Sequence, residues 1–332
     1  MKRFLRIGLV MLMVVALIGC SQASGSEQKD MNLKISVTVS EHDTWAVAAK
    51  QWAEDVEEQT DGRIKMKIYA NESLSNGNSP KGLEAVQNGS TEISIHSTII
   101  YSVLDNKFSV PSLPWLLPNY EQAEKAMNGE GGKELMELIR SKGIEPLAFG
   151  ESGYRQITNS KKPITSPEDL KGLKIRTPSM EMMVDTYREF GGDPTVMNFA
   201  EVFTSLQQGV IDGQENPLPI ILNSKLAEVQ DYLTVWNYMY DPLVFGMNKK
   251  LFDGLDEETQ NILRETAQEA AKYQIEINRQ QNEEILKELE AAGMEIVELT
   301  PEQIAAFQKA VQPVISKYED LVGKDLLDLF RD

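Results

Sequence analysis

Strand-like and helix-like segments alternate along this chain from residue 33 onward, and no other feature of the sequence constrains the fold as strongly. Residues 33–39 are rich in β-branched side chains, residues 44–59 repeat apolar side chains at helical spacing, and residues 64–69 alternate again as a strand. Similar segments follow after residue 155. Segments in this order are typical of proteins in which helices cover a largely parallel sheet. The alternation therefore predicts an α/β fold.

The length of the chain and one extended segment predict two lobes. The 332 residues are enough for two domains at roughly 150 residues each, and residues 149–155 read as a crossing between them. Residues 256–292 contain neither proline nor glycine, and a single helix there would be on the order of 50 Å long, enough to reach across both lobes. We expect the first lobe to comprise residues 31–153 and about 241–280, and the second lobe residues 154–240 and about 281–332.

The start of the chain has the pattern of an export signal. A basic beginning is followed by an apolar run, residues 7–18, that is too short to be a comfortable membrane span. The run ends in Leu-Ile-Gly-Cys, which resembles the site at which bacterial lipoprotein precursors are acylated and cut. We expect residues 1–19 to be removed, residues 20–30 to form a flexible tether, and Cys20 to carry a lipid that anchors the protein outside the cytoplasm, in the periplasm or at the cell surface. The alternative is an ordinary secretory signal in which Cys20 is incidental.

Composition limits the chemistry that this chain can perform. It has one cysteine and two histidines and shows no nucleophile or metal motif, so we expect no catalytic residues, no cofactor and no metal. The 51 acidic residues outnumber the 33 basic residues, and the net charge of −18 repels nucleic acid. The same charge opposes an anionic ligand. A site for an acid must therefore concentrate positive charge locally, which makes individually placed arginines informative.

Two arginines and one asparagine lie at positions where ligands bind in α/β sheets. Arg155 ends the predicted crossing, and Arg176 closes a short strand within Gly-Leu-Lys-Ile-Arg-Thr-Pro. Ligands sit outside the carboxyl ends of such strands, and a guanidinium can bind a carboxylate through two hydrogen bonds. Asn216 follows Asp-Gly-Gln-Glu and could add an amide. The alternatives are a surface residue or a structural ion pair for each arginine, and a turn residue for Asn216.

The same rule marks two further strand ends as crevice positions. Residues 40–43 follow the first predicted strand, and residues 96–98 end the third. Their polar side chains favour a hydroxylated acid as the ligand. These side chains are Ser40, His42, His96 and Ser97.

Several spaced motifs resemble one family of binding proteins. They are Ile-Asp-Gly-Gln-Glu-Asn-Pro at 211–217, Phe-Ala-Glu-Val at 199–202, Leu-Gln-Gln-Gly at 206–209, Asp-Leu-Lys-Gly-Leu-Lys-Ile-Arg-Thr-Pro at 169–178 and Leu-Glu-Ala-Val-Gln-Asn-Gly at 83–89. Together they look like the signature of the DctP-type solute-binding proteins of TRAP (tripartite ATP-independent periplasmic) transporters. The similarity extends over residues 33–330.

The resemblance implies a periplasmic-binding-protein-like fold of two lobes, with hinge crossings and a long helix spanning both lobes, that closes over an organic acid. It implies that Arg176 clamps the carboxylate of the acid, that Asn216 supports it and that Arg155 is a second, less uniform arginine. Phe199 corresponds to an aromatic wall of the site, and Ser97 and Tyr238 to variable ligand contacts. The closed protein would then dock on a membrane permease that is driven by an ion gradient.

Two other functions remain open from the sequence. The lobes could present an acid to a sensor domain instead of a permease, or the chain could be a secreted enzyme that acts on a sugar acid. The sparse histidines and the missing nucleophile motif argue against the enzyme. Among ligands, sugar acids and C4-dicarboxylates both suit an arginine pair.

Overall fold

A computed structural model describes residues 30–331 of the chain. The predicted leader, its Cys20 and nearly all of the predicted tether lie outside these residues. Within the described part, ten strands form one mixed sheet system. The strands are β1 (Met31–Val37), β2 (Ile64–Tyr69), β3 (Ile93–Ser97), β4 (Ile144–Asn159), β5 (Lys174–Thr177), β6 (Asp193–Val196), β7 (Gly213–Pro217), β8 (Tyr232–Val235), β9 (Tyr240–Asn248) and β10 (Glu295–Glu298).

Helices cover the faces of the sheet. None of those in residues 30–331 combines the length and the apolar character that crossing a bilayer requires. They are α1 (Thr44–Gln59), α2 (Ser79–Asn88), α3 (Thr98–Tyr101), α4 (Tyr120–Asn128), α5 (Glu130–Ser141), α6 (Glu181–Glu189), α7 (Val202–Gln207), α8 (Leu218–Asn223), α9 (Lys249–Asp253), α10 (Glu257–Gln280), α11 (Asn282–Ala291), α12 (Pro301–Ala310), α13 (Gln312–Val322) and α14 (Lys324–Arg331).

The long strand β4 belongs to both lobes. Its first part pairs antiparallel with β9, next to β3, β1 and β2, and this sheet forms the first lobe. From Arg155 onward it pairs with β7, next to β5 and β6, and on its other side with β8, and these strands and β10 form the second lobe. The predicted crossing at residues 149–155 lies within β4. The predicted two-lobed α/β fold is confirmed.

Two of the apolar clusters each lie mainly in one lobe. In the first lobe Ile35 and Ile95 from the sheet pack with Trp52 of α1 and Leu263 of α10, and all four side chains are fully buried. Burial of a side chain of this size stabilises the fold by roughly 1.5–3 kcal/mol. In the second lobe Val202, Ile221, Leu233 and Leu289 form a separate cluster. A third and larger cluster joins buried side chains of both lobes, among them Ile144, Ile157 and Trp236.

The predicted helical stretch 256–292 spans both lobes as two consecutive helices rather than one. α10 has 24 residues and packs along β4 and α1. At 1.5 Å per residue it extends about 36 Å. α11 instead packs on α8 of the second lobe. The two helices bury their apolar faces in different clusters, α10 through Leu263 and α11 through Leu289.

Polar side chains of α10 fix the crossing part of β4. Gln274 donates from Nε2 to the carbonyl oxygen of Glu151 at 2.8 Å and accepts from the backbone amide of the same residue at 2.8 Å. Asn278 donates to the carbonyl oxygen of Ser152 at 3.3 Å. The Glu151 carboxylate is fully buried and accepts a hydrogen bond from Arg279, whose Nη2 lies 2.7 Å from Oε2. These bonds satisfy backbone groups where β4 leaves one sheet and enters the other.

Candidate functional site

A cleft lies between the two lobes, at the carboxyl ends of the parallel strands. β1 and β3 of the first lobe and β5 and β7 of the second lobe all end there, as expected for an open α/β sheet. Side chains of both lobes line the cleft, which is partly open to solvent. Trp45 of α1 and Ile100 of α3 line one wall, and Ile220 of α8 faces them from the second lobe.

Arg176 is a buried cation of this cleft that has no carboxylate partner among the described residues. It lies on β5, is 4% exposed, and makes one hydrogen bond, from Nε to the carbonyl oxygen of Met197 at 2.9 Å. The ring centroid of Phe199 is 5.7 Å from its Cζ. Burial lowers the pKa of Arg176 to about 10, which the Glu215 carboxylate opposes only in part. Its terminal nitrogens are therefore available to an anion.

Arg155 lines the same cleft but is already neutralised by two carboxylates. Its Nε and Nη2 donate to both oxygens of Glu215, with 2.8 Å between Nη2 and Oε1, and its Nη1 donates to Oδ2 of Asp241 at 2.6 Å. Burial would lower the pKa of Arg155, but Glu215 and then Asp241 raise it above the ordinary value. The two predicted arginines thus line the same cleft, and the positive charge of Arg176 is the one that no carboxylate of the described residues pairs with.

Asn216 is held in one orientation by its neighbours. It lies on β7 opposite Gln156 of β4, is 4% exposed and lines the cleft. Its Oδ1 accepts a hydrogen bond from Nη2 of Arg155 at 3.0 Å, and its Nδ2 donates to Oε1 of Gln214. An asparagine amide has two N–H donors. One N–H group of Asn216 is therefore left for a ligand in the cleft.

Ser97 and Asp241 connect the first lobe to the arginine cluster. Ser97, at the end of β3, donates its hydroxyl to Oδ1 of Asp241 and accepts from the backbone amide of Ile99 at 3.0 Å. Burial raises the pKa of Asp241, and the Arg155 guanidinium and the Ser97 hydroxyl oppose that rise. Both side chains line the cleft. The hydroxyl of Ser97 is already engaged on both sides.

Two of the predicted site residues do not line the cleft. Tyr238 is fully buried behind Glu215 and donates its hydroxyl to Oε2 of that carboxylate at 2.9 Å. The Oγ atom of Ser40 is buried without a hydrogen-bond partner in the described part of the chain, outside the lining. Of the two histidines, His96 binds Glu72 at 2.7 Å and His42 is exposed.

Several residues of the site were not predicted from the sequence, among them Glu215, Trp45 and Asp241. Glu215 had a signal, because it directly precedes Asn216 in the Asp-Gly-Gln-Glu-Asn motif. Trp45 and Asp241 had none, because each lies in a local sequence that reads as the start of a helix or a strand. In residues 30–331 we find no group of three or more His, Cys, Asp and Glu side chains that could hold a metal ion.

Comparisons with known proteins agree with this architecture. Residues 35–321 match the model of the bacterial extracellular solute-binding proteins, family 7 (DctP). The 2,3-diketo-L-gulonate-binding periplasmic protein YiaO of Escherichia coli K12 is 33% identical over 84% of this chain and 84% of its own. The C4-dicarboxylate-binding periplasmic protein DctP of Rhodobacter capsulatus is 32% identical over 89% of this chain and 88% of its own.

A solved structure shares the whole fold. The sugar acid binding protein DctPAm of Advenella mimigardefordensis, solved in complex with galactonate, superimposes with a TM-score of 0.88 at 31% identity, covering 92% of this chain and 97% of that one. The fold and the cleft are those of a two-lobed solute-binding protein. The chain belongs to the bacterial extracellular solute-binding proteins of family 7, the DctP family.

Proposed function

We propose that this protein is the solute-binding subunit of a TRAP transporter and that it captures a small organic acid, of the sugar-acid or C4-dicarboxylate class, through Arg176. The observation that carries the proposal is a guanidinium that is 4% exposed, has no carboxylate partner in the described residues and faces the cleft between the lobes. A carboxylate would complete it with two charge-assisted hydrogen bonds. The acids named for YiaO, DctP and DctPAm support this class of ligand.

The neighbouring side chains take distinct roles in this proposal. Asn216 donates its remaining N–H group to the carboxylate, and the ring of Phe199 forms the wall beside the guanidinium. Arg155 orients Asn216 and holds Glu215 and Asp241 in place. Its Nη1 also retains one N–H donor for the ligand.

Closure of the lobes follows from ligand contacts on both sides of the cleft. A ligand that bonds to Arg176 and to the first lobe makes all its bonds only when the lobes approach, so it shifts the population toward the closed form. Asn223 of α8 donates to Asp43, the N-cap residue of α1, at 3.2 Å, and this bond joins the lobes. The closed protein then delivers the acid, chemically unchanged, to the membrane permease, while the lipid on Cys20 keeps it at the membrane.

Matched pairs of acids and alcohols test the proposal. Titration calorimetry compares D-erythronate with erythritol and galactonate with galactitol, so that only the carboxylate differs within each pair. We expect at least one acid to bind and its alcohol to bind about 30-fold more weakly or worse, because the alcohol leaves a buried cation unpaired. Mass spectrometry of the recovered ligand should find it unchanged. An alcohol that bound as tightly as its acid would refute the carboxylate clamp.

A further inference from the structure

The charges that line the cleft are few and nearly balanced. Among the described residues that line it, only Arg155, Arg176 and Asp241 are charged. Glu215 lies directly behind Arg155 and is fully buried. Two guanidiniums therefore face two carboxylates in one buried group, whose formal charge is zero before any ligand enters.

The pairing within this group leaves one attractive position for an anion. Arg155 binds both carboxylates at once, with Nη1 2.6 Å from Asp241 and Nη2 2.8 Å from Glu215. Both carboxylates form their ion pairs with Arg155, and neither pairs with Arg176. Arg176 can therefore pair with one carboxylate of a ligand. Binding of that carboxylate changes the net charge of the buried group from zero to −1.

Within residues 30–331, the opposite wall of the cleft has no cation for a second carboxylate. Its polar lining consists of the hydroxyls of Thr38, Ser79 and Ser97 and the indole of Trp45, and the rest is aliphatic. The hydroxyls of Thr38 and Ser97 donate to Glu72 and Asp241, and Ser79 and Trp45 add a further hydroxyl and an indole N–H to this wall. These are neutral partners, suited to the hydroxyl or carbonyl groups of a ligand.

A second carboxylate in the cleft would meet a like charge. Asp241 is fully buried, and its carboxylate lies between Ser97 of the first lobe and Arg155 of the second. A buried anion without a partner is strongly disfavoured, and two anions near each other are disfavoured further. The lining thus discriminates between acids by the number of their carboxylates.

We propose that the cleft selects a monocarboxylate whose remaining groups are neutral and hydroxylated, and that it excludes the dicarboxylate of the same carbon skeleton. This inference rests on the proposed function and narrows it to one of the two acid classes. The side chains that decide it are Arg176, as the single unpaired cation, and Asp241, as the carboxylate that repels a second anion.

Matched acids that differ only at the far end provide the test. D-erythronate and meso-tartrate differ by a terminal CH₂OH group against a carboxylate, as do galactonate and galactarate. Calorimetry on the wild-type protein at neutral pH should show the monocarboxylate of at least one pair binding about 30-fold more tightly than its dicarboxylate. Succinate extends the comparison to a dicarboxylate without hydroxyl groups and should bind as weakly as meso-tartrate.

The outcomes separate this inference from the proposed function. Dicarboxylates that bind as tightly as the monocarboxylates would overturn the selectivity and leave the carboxylate clamp intact. Absence of binding by every acid of both classes would overturn the proposed function and this inference together. The comparison needs only the wild-type protein, so it does not depend on the folding of a variant.

A variant without the charge of Asp241 tests whether this carboxylate repels a second anion. Asp241→Asn removes the repelling charge and frees an N–H group of Arg155, so the ratio of monocarboxylate to dicarboxylate affinity should fall by about tenfold or more. Asp253→Asn, which changes an exposed acid of the first lobe, should leave that ratio as in the wild type. Melting curves establish that both variants fold. An unchanged ratio in folded Asp241→Asn protein would contradict the repulsion.

Discussion

Replacing Arg176 by methionine should move stability and affinity in opposite directions. The side chain is 4% exposed, and the single hydrogen bond it forms with a described residue is the 2.9 Å bond to the carbonyl oxygen of Met197. A buried cation without a carboxylate is costly to the folded protein in the absence of ligand. The same cation is the strongest attraction that the cleft offers to an acid. Arg176→Met therefore removes a cost to folding and a contribution to binding at once.

The shifted pKa sets the size of the stability change. Burial lowers the pKa of Arg176 from 12.5 to about 10, and at 1.36 kcal/mol per unit this corresponds to about 3 kcal/mol. Because the folded pKa lies below the unfolded one, the cost is fully present below about pH 10 and is relieved only as the pH rises beyond it. The lost bond to Met197 costs about 1 kcal/mol. The unliganded variant should therefore be more stable by about 2 kcal/mol at pH 7.

The loss of affinity should be larger than this gain. Truncating one partner of a buried, hydrogen-bonded charge pair costs about 2–5 kcal/mol, which is about 30-fold to several thousand-fold in the dissociation constant. Denaturant unfolding without ligand gives the stability, and calorimetry with galactonate and D-erythronate gives the affinity. Arg188→Met, which removes an exposed arginine of α6, serves as the matched control and should change neither quantity appreciably.

The neighbouring arginine should behave in the opposite way. Arg155→Met leaves Glu215 and Asp241 as buried carboxylates without a counter-ion, and breaking such a pair destabilises a fold by about 3–5 kcal/mol. The two variants thus differ in the sign of their effect on unliganded stability. If Arg176→Met lost stability as Arg155→Met does, Arg176 would be a structural residue. If Arg176→Met bound both acids as the wild type does, the clamp assignment would be wrong.

Two further predictions concern the contact between the lobes and the anchor. Burial raises the pKa of Asp43 from 3.8 to about 6. The contribution of this side chain to the free energy of unfolding is therefore full below about pH 4, and it falls by up to about 3 kcal/mol as the pH rises through 6. Denaturant unfolding should show Asp43→Asn to be more stable than the wild type at pH 7–8, and the difference should vanish toward pH 4. If the stabilities of the two proteins changed in parallel with pH, this charge effect would be excluded. Cys20→Ala in an exporting bacterial host should abolish incorporation of labelled palmitate and release the protein from the membrane fraction; retention there would count against the lipid anchor.

The sequence alone was sufficient for the fold class and for the location of the cleft. The alternation of segments predicted β2 and α1 with their observed bounds and placed β1 within two residues of its observed ends, because helical and strand periodicity are properties of neighbouring residues. The rule that ligands sit at the carboxyl ends of parallel strands predicted Arg176 and Ser97, which line the cleft, but also Ser40, His42 and His96, which do not.

Only the tertiary structure showed which carboxylates each arginine meets. β4 pairs with β7 in a register that brings Glu215 to Arg155, and Asp241 lies at the start of β9. Whether a buried charge is compensated depends on groups that are far apart along the chain and meet only in the folded protein. Local patterns therefore located the positive charge, and long-range packing decided which of the two arginines remained free to bind an acid.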